Sequence, residues 1–139
     1  MTDKPRKITV HHSGGEGTLG GLLNYFKGKY DSDFVPYHVI IDFDGSYYFG
    51  LQLTEVGEHC ELNNTGNVGI CVLGDYSEGR PTIQQMISLY DLICFLYPHY
   101  DMEGVYPHNQ LKEDTICPGK YLTMWVEDLF GHVGGMRND

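Results

Sequence analysis

The strongest periodicity in the chain is helical. Ile83, Met86, Ile87, Tyr90, Ile93, Cys94 and Tyr97 recur every three or four positions, which turns them to one side of an α-helix. Thr82 is placed to cap that helix and Pro98 to end it, so the pattern predicts a helix over residues 83–97. Ahead of it, the β-branched alternation of "KITVHH" predicts a strand at Lys7–His12, followed by a turn through Ser13, Gly14 and Gly15. Leu19, Leu22, Leu23 and Phe26 fit a helix over residues 19–30, weakened by its glycines. In "VPYHVIIDFDGSYYFGLQL" two β-rich runs flank Asp44-Gly45, a pair suited to a tight turn with positive φ, and predict a hairpin. The apolar run from Val68 to Gly74 reads as a strand covered on both faces. "VYPHNQL" reads as a short strand entering a loop, and Pro118 is expected to open a last helix, "GKYLTMWVEDLF".

Strands and helices that alternate around one hairpin predict an α/β fold with a central mixed sheet flanked by helices. A single domain is expected over residues 1–139, with its core at about 7–130 and a flexible tail at 131–139.

Composition changes this picture little: 139 residues, 41% hydrophobic and 20% charged, is the balance of an ordinary globular domain. Charge changes it more. A net charge of −10 argues against nucleic acid and anionic membrane surfaces as partners, because phosphates call for clustered Lys and Arg. No apolar run approaches the ~20 residues of a membrane span, and "MTDKPRK" lacks the apolar core of a secretory signal. Membrane insertion is therefore not expected, and a cytoplasmic location is. Cys60, Cys71, Cys94 and Cys117 form no CxxC pair and read as thiols or metal ligands rather than a disulfide framework.

His11 and His12 are adjacent in a strand and must face opposite ways. His11 shares a face with Thr9, and His12 with Ile8 and Val10. Downstream lie His108, in "YPHNQL", and Cys117, in "DTICPG". Two imidazoles and a thiolate suit zinc, and three protein ligands leave a fourth tetrahedral position open for chemistry. Scattered as they are, these three residues do not identify a site by spacing alone.

Four segments in order, "ITVHHSGG", "PYHVIIDFDGSYYFG", "NNTGNVGICVLGDY" and "PHNQLKEDTICPGKYL", resemble the zinc-dependent N-acetylmuramoyl-L-alanine amidases. That family includes small phage lysozymes of the amidase kind and the peptidoglycan recognition proteins of animals. The resemblance extends over roughly residues 7–125. It implies that His11, His108 and Cys117 bind one zinc ion per chain, and that His12 turns away. It implies further that Tyr37 stands beside the metal and that Thr115, two positions before the cysteine, completes the catalytic set. Recognition proteins commonly carry Thr there, whereas phage lysozymes carry Lys; the loop "NQLKEDTIC" reads as one residue longer than is usual in the family. His59, Asn63 and Asn64 resemble a groove-lining segment that contacts substrate.

What the resemblance implies is a hydrolase that cuts the N-acetylmuramoyl-L-alanine amide of peptidoglycan. A phage endolysin is expected, a monomer held in the host cytoplasm and released onto the wall at lysis. Zinc chemistry fits these roles, since the metal acidifies water and polarises a carbonyl, while Tyr37 is a better donor than base. No residue is assigned as general base. Plainer readings stand beside these. Tyr37 could be packing, Thr115 could cap the turn before Pro118, and His38, His99 and His132 have no assigned partner. Rival functions also stand: a non-catalytic muropeptide- or protein-binding module, a regulator of the kind that inhibits a phage RNA polymerase, or an amidase for another substrate. Non-catalytic relatives typically lose the cysteine, so Cys117 speaks against the first.

Overall fold

The computed structural model describes residues 4–15 and 17–131. His132 and the rest of the expected tail, residues 132–139, lie outside the described residues. The elements run β1 (Lys7–His12), α1 (Leu19–Tyr30), β2 (Val39–Ile41), β3 (Tyr47–Phe49), β4 (Asn67–Val72), α2 (Ile83–His99), β5 (Gly104–Pro107), α3 (His108–Leu111) and α4 (Lys120–Val126), which a π-helical turn, Glu127–Gly131, continues. The five strands form one mixed sheet in the order β3-β2-β4-β1-β5. Neighbours are parallel throughout except β3, which folds back antiparallel on β2.

Central, parallel strands are buried on both faces and read as continuous apolar runs, and β4 is buried at all six positions. One face packs Ile8, Val10, Val39, Ile41, Val68, Ile70 and Val72 against Leu89, Ile93 and Leu96 of α2 and Leu122 and Val126 of α4. The other face is thinner: Ile40, Cys71 and Leu73 meet Val35 and Phe26, the one buried residue of α1. His11 belongs to this second face, where the sparse cover leaves room for polar groups.

The β2–β3 hairpin turns where Asp44-Gly45 predicts, with Gly45 at φ +88° and the Asp42 amide donating to the Ser46 carbonyl at 2.9 Å. Thr82 caps α2 in a full capping box with Gln85. Three expectations need correction. Helix α2 does not stop at Pro98 but carries it in its last turn, where a missing amide forfeits only the bond to the carbonyl of Cys94, an exposed residue that water can reach. The segment after β5 is not a loop but the single turn α3, closed by the Lys112 amide on the His108 carbonyl at 3.0 Å. The last helix begins at Lys120 rather than Pro118, because the intervening Gly119 sits at φ +94°, outside helical space. Among the described residues no helix is long and apolar enough to cross a membrane.

Candidate metal centre

Strands β1 and β5 run parallel with Val10 opposite Pro107. Their next residues, His11 and His108, therefore emerge side by side at the carboxyl edge of the sheet, with ring centroids 4.4 Å apart. That edge is where open α/β sheets place their ligand sites. The loop before α4 brings in Cys117, anchored by the Asn109 amide on its carbonyl at 2.8 Å and by the His12 amide on its sulfur at 3.3 Å. The donor atoms of His11, His108 and Cys117 all lie within 4.8 Å of one another. His11 presents Nδ1 to this point, 3.7 Å from Cys117 Sγ.

Two observations test whether these residues suit a metal. Both ring nitrogens of His108 are buried and have no hydrogen-bond partner among the described residues, and a buried polar atom left unpaired is costly unless something else satisfies it. The donor set, two imidazoles and a thiol, is that of a zinc site with an open fourth position. The residues fit.

Electrostatics prepares the histidines and holds back the cysteine. Burial, reinforced by the neighbouring His59 and His108, lowers the pKa of His11 well below the usual histidine value. Burial also lowers that of His108, so both rings are neutral near pH 7 with lone pairs to give. Burial pushes the Cys117 thiol up to about 12, against a smaller opposing effect of the His12 amide. Without a cation nearby the sulfur keeps its proton.

The adjacent His12 faces the other way, and its Nδ1 accepts from the Tyr76 amide at 3.0 Å. Its contribution to the centre is the backbone N–H on Cys117, which no side-chain pattern could announce. Tyr37 lies 5.1 Å from His11 between ring centroids. Burial, then the Cys71 and Cys117 sulfurs, raise its pKa well above that of a free tyrosine, so its hydroxyl stays protonated. Thr115 Oγ1 accepts from the Cys117 amide at 3.2 Å, a local turn bond, and the residue also lines the cavity of ≈260 Å³ over the three donors. That cavity shares Ser13, Gly14, Phe26, Lys29 and Tyr37 with a neighbouring groove of ≈610 Å³ beside α1. Glu58, a carboxylate that no motif singled out, is on the cavity wall.

The three residues expected to line a substrate groove sit differently from one another. His59 is buried, with Nδ1 2.9 Å from His11 Nε2 and Nε2 2.7 Å from the Asn67 carbonyl. Asn64 Oδ1 accepts from the amides of His59 and Cys60 at 3.1 and 2.7 Å. Asn63 Oδ1 accepts from Lys7 Nζ at 3.1 Å. His59 also lines the cavity over the three donors, and with Asn64 and His108 it lines an adjoining cavity of ≈270 Å³; sequence patterns held no sign of the bond between His59 and His11.

The fold and site define an α/β domain with a mixed sheet whose parallel strands carry, at their carboxyl edge, a His-His-Cys cluster that could hold a metal ion. Residues 1–120 match the N-acetylmuramoyl-L-alanine amidase family, and the chain belongs to it. It is similar to the amidase LysC from Clostridium intestinale, at 25% identity and a TM-score of 0.79 over 98% of this chain and 87% of that one. It is similar also to the endolysin of Enterobacteria phage K11, 32% identical over 67% of this chain and 64% of the relative. A peptidoglycan-recognition protein of Drosophila simulans is 32% identical over 63% of this chain and 50% of the relative. The match thus spans from half to just under two thirds of the length of these two relatives.

Proposed function

We propose that this chain is a zinc-dependent amidase that hydrolyses the bond between N-acetylmuramic acid and L-alanine in peptidoglycan, acting as an endolysin. The observation that carries the reading is the convergence of His11, His108 and Cys117 around the two bare nitrogens of His108. The family, with endolysins and recognition proteins among the relatives, supplies the substrate class.

His11, His108 and Cys117 are the residues that would hold zinc. Such an ion supplies Lewis acidity at neutral pH, polarising an amide carbonyl and making water a stronger acid. The chain's own groups do the rest. Tyr37, kept protonated by burial, donates a hydrogen bond to the oxygen that gains negative charge as the amide is attacked. Thr115 braces the turn that carries Cys117 and presents its side chain to the same cavity. Glu58 is the carboxylate on that wall, and its role in this reading is to take the proton that the attacking water gives up and pass it to the leaving amine. The groove of ≈610 Å³ along α1 adjoins the cavity and is where the sugar or the stem peptide would lie.

The test is release of N-terminal alanine from purified peptidoglycan by the zinc-loaded protein. Activity is expected to vanish with a chelator, to return with zinc, and to be lost with bound metal in Cys117→Ser. One ion bound per chain with no alanine released would replace this reading with that of a binding module. Metal and activity both intact in Cys117→Ser would overturn the ligand set.

A further inference from the structure

We infer that His59 is the positioning residue that fixes the tautomer and ring orientation of His11, a role that rests on the metal reading above. The argument is one of donors and acceptors. The Asn67 carbonyl, 2.7 Å from His59 Nε2, can only accept, so the proton of the neutral His59 ring is on Nε2. Its Nδ1 is then a lone pair. That lone pair faces His11 Nε2 at 2.9 Å, so His11 must carry its proton there and donate it. His11 Nδ1 is left unprotonated and aimed at the point where Cys117 Sγ and the His108 nitrogens converge. A one-way backbone acceptor two residues removed thus decides which His11 nitrogen can bind a cation, the outer-shell logic common to metal-bound histidines.

The surroundings keep this chain in register. The Asn67 side chain is fixed at both ends, accepting from Thr9 Oγ1 at 2.7 Å and donating to the Asn63 carbonyl at 2.7 Å. Asn64 Oδ1 holds the backbone of His59 itself. Gly69 makes room for the ring: a Cβ there would stand 2.6–2.8 Å from three of its atoms. The "NNTGN" segment is therefore the mount for His59.

Two measurements test the inference. In metal-free protein labelled with ¹⁵N-histidine, long-range imidazole spectra should show both His11 and His59 protonated at Nε2; an Nδ1 proton on either ring overturns it. Cobalt(II) titration, read by thiolate-to-metal absorption, should then show His59→Phe weakened about 10- to 100-fold. His59→Gln, whose amide oxygen can accept from His11, should recover most of that loss, which a merely space-filling role does not explain. Affinity of His59→Phe within twofold of the parent overturns the inference. If His59→Phe fails to fold, the parent spectra and His59→Gln decide, with loss of affinity in the folded Gln variant counting against it. Should the parent bind no cobalt while its tautomers are as stated, the metal reading fails and the hydrogen-bond chain survives.

Discussion

Cys117 is the one ligand that must change state to bind a metal. Its thiol is pushed up to about 12 while His11 and His108 are already neutral. Binding one zinc near neutral pH should therefore release one proton, and affinity should climb about tenfold for each pH unit below the thiol's pKa. Calorimetric titrations in buffers of different ionisation enthalpy between pH 6.5 and 8 measure that number. A release near two already at pH 6.5 would mean that a histidine is charged in the free protein, whereas a second proton that appears only as pH rises toward 8 would come from water acidified by the ion. A second consequence concerns His59, whose pKa burial lowers from 6.5 to about 4. Its folded value lies below its unfolded one, so its contribution is fully present above about pH 6.5 and is lost as pH falls toward 4. The loss is about 3 kcal/mol if His59 acts alone. Denaturant melts of the metal-free protein at pH 7.5, 6 and 5 should show progressive destabilisation across that window.

At the scale of elements, Gln85 joins the start of α2 to the sheet. It is fully buried, and its amide donates to the carbonyls of Ile41 and Leu73 at 3.2 and 2.9 Å. Its oxygen accepts from the Thr82 amide and the Tyr76 hydroxyl at 3.0 and 2.8 Å. Replacing it with Leu leaves the carbonyls of Ile41 and Leu73 only their bonds from the Leu73 amide and the Tyr76 hydroxyl, strips the Thr82 amide of its acceptor and removes one half of the capping box, so Gln85→Leu should cost about 1–3 kcal/mol in urea unfolding. Because none of these partners is a metal donor, cobalt affinity should be unchanged in the folded variant. The β1–β5 register matters more for the site. A slip of one residue would turn His11 to the opposite face of the sheet from the one it now shares with Tyr37 and His59.

For the whole molecule the net charge of −10 is the governing quantity. Cell-wall polymers are largely anionic, so the proposed substrate and the protein repel each other at long range. Raising ionic strength from about 10 to about 150 mM shortens the Debye length from ~30 to ~8 Å and removes most of that repulsion. Hydrolysis of intact walls should accordingly speed up over this range, as read by turbidity loss. A rate that falls with added salt would point instead to a locally cationic docking surface.

Local order was legible in the chain wherever one residue's surroundings are its sequence neighbours. The span of β1, the span of α1, the Asp44-Gly45 turn and the Thr82 cap follow from alternation, periodicity and turn chemistry acting over a few positions. The helix ends around Pro98 and Gly119 and the turn α3 departed from expectation, because they are settled by packing and by backbone angles rather than by pattern. The four ordered motifs also carried the family and, through it, the identity of three metal-binding candidates. Only the folded chain decided that these candidates meet. Parallel pairing of β1 with β5 joins positions far apart in the chain, and neither strand records its partner's register. The same holds for the bonds of His59 to His11 and of the His12 amide to Cys117, where one ring and one backbone group act at a distance that no periodicity encodes.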